Sequence, residues 1–155
     1  MQQITVRAIN KGGLDIVLSI VYGENWWSLR EQLWQDLKTI HHVHDHKPWA
    51  IIGDFNTTRF LDEILGGGRL TYAKIASFNQ FIDDCSLSDI KSSGNYWSWH
   101  NNYRRNGTIL VRLDRVLCNV LINTIPESNY EYHPHATSDH APMWLQINPA
   151  IKGGP

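Results

Sequence analysis

Ile51-Ile52-Gly53-Asp54-Phe55-Asn56 is an apolar run that stops abruptly in a glycine, an acid and an amide. A buried strand of this kind delivers its last residues to the rim of a sheet, where backbone leaves the core and polar side chains can converge on a ligand. Asp54 and Asn56, two positions apart on an extended segment, point to the same side. The same residues also suit a turn in which Asp54 and Asn56 bond their own backbone. The stretch alone leaves both readings open.

The chain around it has 155 residues, enough for one domain with a real core, although short for a large α/β enzyme. Its hydrophobic fraction of 42% and charged fraction of 19% are those of a soluble globular protein. A net charge of -1 gives no global pull toward nucleic acid or an anionic membrane. Locally, Arg59, Arg69, Arg104, Arg105, Arg112 and Arg115 all follow Asp54 and could form a phosphate-facing patch; scattered surface arginines would look the same. Cys85 and Cys118 lie in apolar surroundings, which fits reduced thiols in a cytosolic or nuclear protein better than a disulfide framework. No stretch reads as a signal peptide or membrane span.

Before the central motif, Ile4 to Ile9 alternates, Asn10-Lys11-Gly12-Gly13 breaks, and Leu14 to Val21 runs mostly apolar, which reads as a hairpin. After Tyr22-Gly23, the residues Trp26, Leu29, Leu33, Trp34, Leu37 and Ile40 recur at helical spacing, and Ser28 with Glu31 offers a capping box. The pattern predicts a helix of about three or four turns whose tryptophans pack in the core. His41, His42, His44 and His46 crowd its end. They sit beside one another rather than at zinc-ligand spacing, and a solvated turn favoured by the helix dipole is the better reading.

Beyond Asn56, a loop from Thr57 to Leu70 carries Gly66-Gly67-Gly68 without the Lys-Ser/Thr that a phosphate cradle needs, and reads as flexible. Thr71 then caps a second helix with Ile75, Phe78, Phe81, Ile82 and Cys85 on its apolar face. Tyr96 to Asp114, with Asn106-Gly107 between its arms, reads as a long hairpin whose loop holds Asn101, Asn102, Arg104 and Arg105.

Two later clusters bear on Asp54. In Val111-Arg112-Leu113-Asp114-Arg115-Val116-Leu117 an acid sits within a half-buried strand, a costly placement unless it has a partner. A structural salt bridge to a neighbouring arginine would also satisfy it. In Ser138-Asp139-His140-Ala141-Pro142, just before the final strand Met143 to Ile147, an acid adjoins an imidazole. Such a pair can bind a cation with one member and move a proton with the other.

Gly53-Asp54-Phe55-Asn56, Arg112-Leu113-Asp114-Arg115 and Ser138-Asp139-His140-Ala141-Pro142 resemble, in that order, the closing motifs of the endonuclease/exonuclease/phosphatase family. The likeness is to the apurinic-type endonuclease domain of plant LINE-type (non-LTR) retrotransposons. There too a Val-Tyr precedes an Arg-x-x-Leu-Trp helix, a Gly-Gly loop follows the Gly-Asp-Phe-Asn, and a Trp-x-Trp-like strand precedes the Leu-Asp-Arg. This chain supplies Val21-Tyr22, Arg30 to Trp34, Gly66 to Gly68 and Trp97 to Trp99. The resemblance runs from Ile4 to Ile147, within one domain expected over residues 1–148 and a flexible tail over 149–155.

The resemblance implies an α/β fold, a two-sheet sandwich with helices outside and a divalent-metal phosphodiesterase site using Mg2+ or Mn2+ at one edge. It implies that Asp54 orients the attacking water, that Asn56 steadies the phosphate and that Asp139 is a metal ligand. His140 would act as acid, base or phosphate-polarising imidazole, with Asp114 fixing its tautomer and Tyr22 placing a hydroxyl near the phosphate. Asn102, Arg104 and Arg105 are the expected contacts to a DNA substrate. In a full-length parent, a reverse-transcriptase region would accompany the domain.

One departure accompanies the match. The family's domain normally opens with an asparagine-bearing strand and then a strand-end glutamate that binds metal, both before the tyrosine. Only about twenty residues precede Tyr22, and they hold one acid, Asp15, and no glutamate. The expectation is a domain lacking its first strands, impaired as a nuclease. A non-catalytic remnant that binds nucleic acid or protein, and a phosphatase-type enzyme acting on a small phosphate ester, are the alternatives.

Overall fold

The computed structural model describes residues 1–68, 71–102 and 107–147. In chain order they form β1 (Gln3–Ile9), β2 (Asp15–Tyr22), α1 (Trp27–Val43), β3 (Trp49–Asp54), β4 (Ile64–Leu65), α2 (Tyr72–Asp84) and β5 (Ser88–Asp89). There follow β6 (Ser92–Gly94), β7 (Trp99–His100), β8 (Leu110–Val111), β9 (Asp114–Cys118), α3 (Val120–Asn123), β10 (Asn129–Tyr132) and β11 (Met143–Gln146).

The period-two alternation of the strands sorts side chains into two layers. β1, β2, β3, β9 and β5 lie side by side in a five-stranded sheet. β2 and β3 run parallel, with α1 as their crossover, while β3 and β9 are antiparallel. On one face, Val17, Val21, Trp49, Ile51 and Leu117 pack with Leu33, Trp34 and Leu37 of α1 and Phe78, Phe81 and Ile82 of α2. On the other, Ile16, Ala50, Val116 and Cys118 meet Tyr130 and Tyr132 from a second sheet of β11, β10 and β6. This is the α/β sandwich expected, with helices outside. A third small sheet of β4, β8 and β7 closes one end.

Several local expectations are corrected. Helix α1 is longer, at 17 residues, and its N-cap is Trp26, so Ser28 lies inside the first turn and makes no capping bond. Standing outside the helix, Trp26 misses the buried face and is 73% exposed; Leu29 is also exposed, and so is Trp27 at 63%. Arg30 takes the first buried position instead, followed by Leu33, Trp34 and Leu37 at the i, i+3, i+4, i+7 spacing. Its guanidinium donates to the carbonyls of Glu24 (2.7 Å) and Asn25 (3.1 Å), which makes burial of the charge tolerable. Thr71 is the N-cap of α2 but makes no side-chain capping bond either.

The segment after Asn56 is pinned rather than loose. Glu63 is buried, and its carboxylate accepts the backbone N–H groups of Arg59 (2.7 Å) and Phe60 (3.3 Å) and the guanidinium of Arg115 (2.6 Å). Among the described residues, the hairpin predicted over Tyr96 to Asp114 pairs only through the two-residue strands β7 and β8, Trp99 opposite Val111. Asp114 instead begins β9 in the large sheet.

The arginine patch does not form among the described residues. Arg59 pairs with Asp89 (2.6 Å), Arg112 lies over the rings of Tyr96 and Tyr132, and Arg115 is fully enclosed between Glu63 and Asp89. Arg69, Arg104, Arg105, Asn106 and the tail over 149–155 lie outside the described residues. Both cysteines are buried and free. Among the described residues no helix is long and apolar enough to cross a membrane.

Candidate active site

The inner face of the large sheet is apolar along most of its length and turns polar at one end. Ile16, Leu18 and Ile20 lead along β2 to Tyr22, Ala50 and Ile52 lead along β3 to Asp54, and Cys118 and Val116 lead back along β9 to Asp114. Tyr22 is opposite Asp54, and Asp54 is opposite Asp114. Three residues far apart in the chain therefore occupy one rung across three neighbouring strands.

Gly53 makes the rung possible. Its φ is +143°, and a Cβ there would stand 2.0 Å from the carbonyl oxygen of Val21, so no other residue fits between β2 and β3. Gly23 meets the same constraint on the other side, where a Cβ would stand 2.6 Å from the Phe55 carbonyl. The chain can then turn at Asn56, whose own φ is +48°.

Asp114 has found its partner, and it is not an arginine. Its Oδ2 lies 2.9 Å from His140 Nδ1, while the Nε2 of the same ring faces Asp54 Oδ2 at 3.9 Å. The hydrogen bond to Asp114 raises the imidazole's pKa above its ordinary value, burial opposes the rise, and the charges of Asp114, Asp54 and Asp139 add to it. Asp54 is pushed up to about 6, first by burial and then by the nearby charge of Asp114, against the pull of the Asn56 N–H, His140 and Arg30.

Both readings of Asp54 and Asn56 hold at once. Asp54 Oδ1 accepts the backbone N–H of Asn56 at 2.7 Å, which is an Asx turn. Both residues also line a cavity of about 500 Å³ together with Tyr22, Asn25, Trp99, Leu113, Asp139 and His140. The side-chain amide of Asn56 donates to the Gly23 carbonyl (2.7 Å) and to Asp54 Oδ2 (3.2 Å), so its two hydrogens hold the turn together. Tyr22 is exposed at the cavity wall.

Asp139 reaches the cavity from the opposite side, and the strand β7 holds it there. The Trp99 indole N–H donates to Asp139 Oδ2 at 3.0 Å, the His100 N–H donates to the Asp139 carbonyl at 3.1 Å, and Trp99 forms a backbone bridge with His140. Ser98, fully buried, accepts the backbone N–H groups of Leu113 and Asp114 on its Oγ, each at 2.9 Å. The Tyr132 hydroxyl donates to the Asp114 carbonyl.

Of the residues singled out in the sequence, Tyr22, Asp54, Asn56, Asp114, Asp139 and His140 are brought together. Asn102 is exposed and does not line the cavity, and Arg104 and Arg105 lie outside the described residues. Asn25, Ser98 and Trp99 join the site without having been singled out. Alternation in Trp97-Ser98-Trp99 was visible, but which motif each side chain would touch depends on long-range pairing.

The donor set suits a hard cation. One ligand atom each from Asp54, Asp114 and His140 lies within 4.8 Å of the others. Asp114 Oδ2 and His140 Nδ1 are committed to each other, which leaves carboxylate oxygens of Asp54 and Asp139 as the donors facing the cavity. Carboxylates without thiolates fit Mg2+ or Mn2+ better than zinc. Asp15, the single acid before Tyr22, does not add to them. It sits at the far end of β2, where Arg7 (2.7 Å) and Lys47 bind it and hold its pKa well below the carboxylate range.

No protein-family model and no curated sequence matches the chain. Solved structures do. The endonuclease domain of TRAS1, a telomere-specific non-LTR retrotransposon, superposes with a TM-score of 0.73 at 16% identity, covering 94% of this chain and 63% of that domain. The catalytic domain of Xenopus laevis APE2 gives 0.62 at 19% identity, covering 97% of this chain and 57% of its own. An endonuclease/exonuclease/phosphatase family protein from Bacteroides thetaiotaomicron gives 0.58 at 14%, covering 92% and 54%. The fold is therefore that of the endonuclease/exonuclease/phosphatase type, and the chain spans 54–63% of the length of these structures.

Proposed function

We propose that this chain, built on the endonuclease/exonuclease/phosphatase fold, is a divalent-metal-dependent phosphodiesterase that acts on DNA and derives from a retroelement endonuclease. The observation that carries the reading is the rung of Tyr22, Asp54 and Asp114 with His140 bridging its two acids. A phosphodiester under attack needs a proton acceptor for the water and positive charge for the phosphoryl oxygens.

The residues divide that work by charge. His140, flanked by carboxylates, favours its protonated form, and Asp114 on Nδ1 fixes the ring so that Nε2–H points into the cavity. It therefore polarises a phosphoryl oxygen and is poorly suited to take a proton. Asp54, with its pKa near neutrality at about 6, is the better acceptor. The water gives its proton to Asp54, its oxygen bonds to phosphorus, and the bond to the leaving oxygen breaks, that oxygen taking a proton from solvent. Asn56 braces the acid, and Tyr22 places its hydroxyl at the phosphate. Asp54 and Asp139 would hold Mg2+ or Mn2+, and the ion would supply positive charge against the charge that develops on the phosphate.

Retroelement descent is supported by the TRAS1 likeness, and a DNA substrate by that domain and by APE2. We further propose that the chain alone hydrolyses slowly, because Asp15 does not replace the family's strand-end glutamate. The test is plasmid nicking by the purified chain with Mg2+ or Mn2+, beside His140→Ala and a monophosphate ester substrate. Slow nicking abolished in His140→Ala is expected. Release of phosphate from the monoester with DNA left intact would overturn the reading in favour of a phosphatase.

A further inference from the structure

Trp99 is not among the residues of either hydrophobic core layer; it lies half-buried at the cavity wall, and its one polar atom is spent on Asp139. From this geometry we infer that Trp99 is a positioning residue, whose indole N–H pins Asp139 Oδ2 and thereby turns Oδ1 toward a cation in the cavity. This deepens, and rests on, the phosphodiesterase reading above.

The choice of donor fits the task. An indole N–H can only donate, so it binds a carboxylate oxygen and offers nothing to a competing orientation. It also carries no charge. A lysine or arginine in its place would hold the carboxylate equally well, but would neutralise the ligand and repel the metal. Asp139 Oδ1 has no hydrogen-bond partner among the described residues and is left for that role. The backbone agrees with the side chain: His100 N–H holds the Asp139 carbonyl at 3.1 Å, and Ala141 N–H donates to the Ser98 carbonyl at 2.7 Å. Ser98 Oγ, on the residue just before β7, fixes Asp114 by accepting its backbone N–H. One two-residue stretch, Ser98-Trp99, therefore sets the position of Asp139 relative to the Asp114–His140 pair. Outer partners of metal ligands of this kind affect affinity by about 10–100-fold.

The experiment measures Mn2+ binding by electron paramagnetic resonance on the whole chain, as wild type, Trp99→Phe, Asp139→Asn and the double variant. Trp99→Phe keeps the ring and loses the donor, so it should bind Mn2+ about tenfold more weakly. In the Asp139→Asn background the same change should cost nothing further, because the acceptor is already altered. A Trp99→Phe affinity equal to wild type, or an equal loss in both backgrounds, would overturn the positioning role and leave the phosphodiesterase reading standing. Wild-type chain that binds no Mn2+ would sink that reading and this inference together. Should Trp99→Phe not fold, the wild-type protein still decides: its Trp99 indole 1H–15N resonance should shift on Mg2+ titration, and Asp139→Asn should abolish the shift. A resonance indifferent to Mg2+ overturns the inference.

Discussion

Asp114 and His140 meet at 2.9 Å through the ring nitrogen that faces away from the cavity, so the acid orients the imidazole without competing for the nitrogen that faces Asp54. His140→Ala removes the polarising group and should lower DNA nicking at least about a hundredfold. Asp114→Asn keeps the shape but removes the charge that favours a ring protonated on both nitrogens, and should lower nicking by a comparable factor. Both are read from initial rates of plasmid nicking at saturating Mn2+. Equal rates for wild type and Asp114→Asn would remove the role of Asp114 in holding His140 protonated.

Stability should fall as pH rises from 3.8 to about 6, the ordinary and folded values for the Asp54 carboxyl. Between them the folded state keeps a proton that the unfolded chain has released, so the folded state is favoured most at the acid end of the window. His140, whose pKa is raised, continues the same sign upward: its contribution is fully present below 6.5 and is lost as pH passes its folded value. Asp54→Asn should flatten the first part of this profile and stabilise the protein at pH 7 by about 1–3 kcal/mol. Thermal melts across pH 4–8 give both quantities, and an unchanged slope would mean that Asp54 titrates normally.

Gly53→Ala should destabilise by about 2 kcal/mol or more, since it combines a left-handed backbone with a Cβ 2.0 Å from the Val21 carbonyl. The damage should be largest where β2 and β3 pair next to Asp54. Hydrogen exchange is the natural probe: the Tyr22 and Gly23 amides should lose protection before those at the other end of β2.

Arg115→Ala should cost about 3–5 kcal/mol, because it leaves Glu63 buried without its counter-charge at 2.6 Å. Replacing both, as Arg115→Met with Glu63→Leu, should recover much of the loss. Denaturant melts of the two variants decide it. A double variant no better than the single one would assign the loss to the backbone bonds that Glu63 makes at Arg59 and Phe60.

The sheet was legible because its strands announce themselves by period: Ile16 to Ile20 and Trp49 to Ile52 alternate between two apolar layers. Helix α2 was legible for the same reason. The start of α1 was not, because Trp26 and Leu29 match the helical spacing while the buried place goes to Arg30, whose charge is satisfied by two carbonyls that only the folded chain brings near. The loop after Asn56 hid its anchor in one acid, Glu63, since nothing local marks it as buried. The meeting of Asp54, Asp114 and His140 followed from motif order, whereas the supports Ser98 and Trp99 lie just before and in the two-residue strand β7, and which residues they touch depends on long-range pairing.

The rung formed by Tyr22, Asp54 and Asp114 separates what this sequence can lose from what it cannot. The lengths of chain between those residues include exposed turns, and residues added or removed there leave the three neighbours level. A single residue deleted within β2, β3 or β9 would instead rotate one member to the opposite face of the sheet. Length can therefore vary at the exposed turns, while it is fixed within the strands, around buried Glu63 and at Ser98-Trp99, and the row of side chains outlasts only changes confined to those turns.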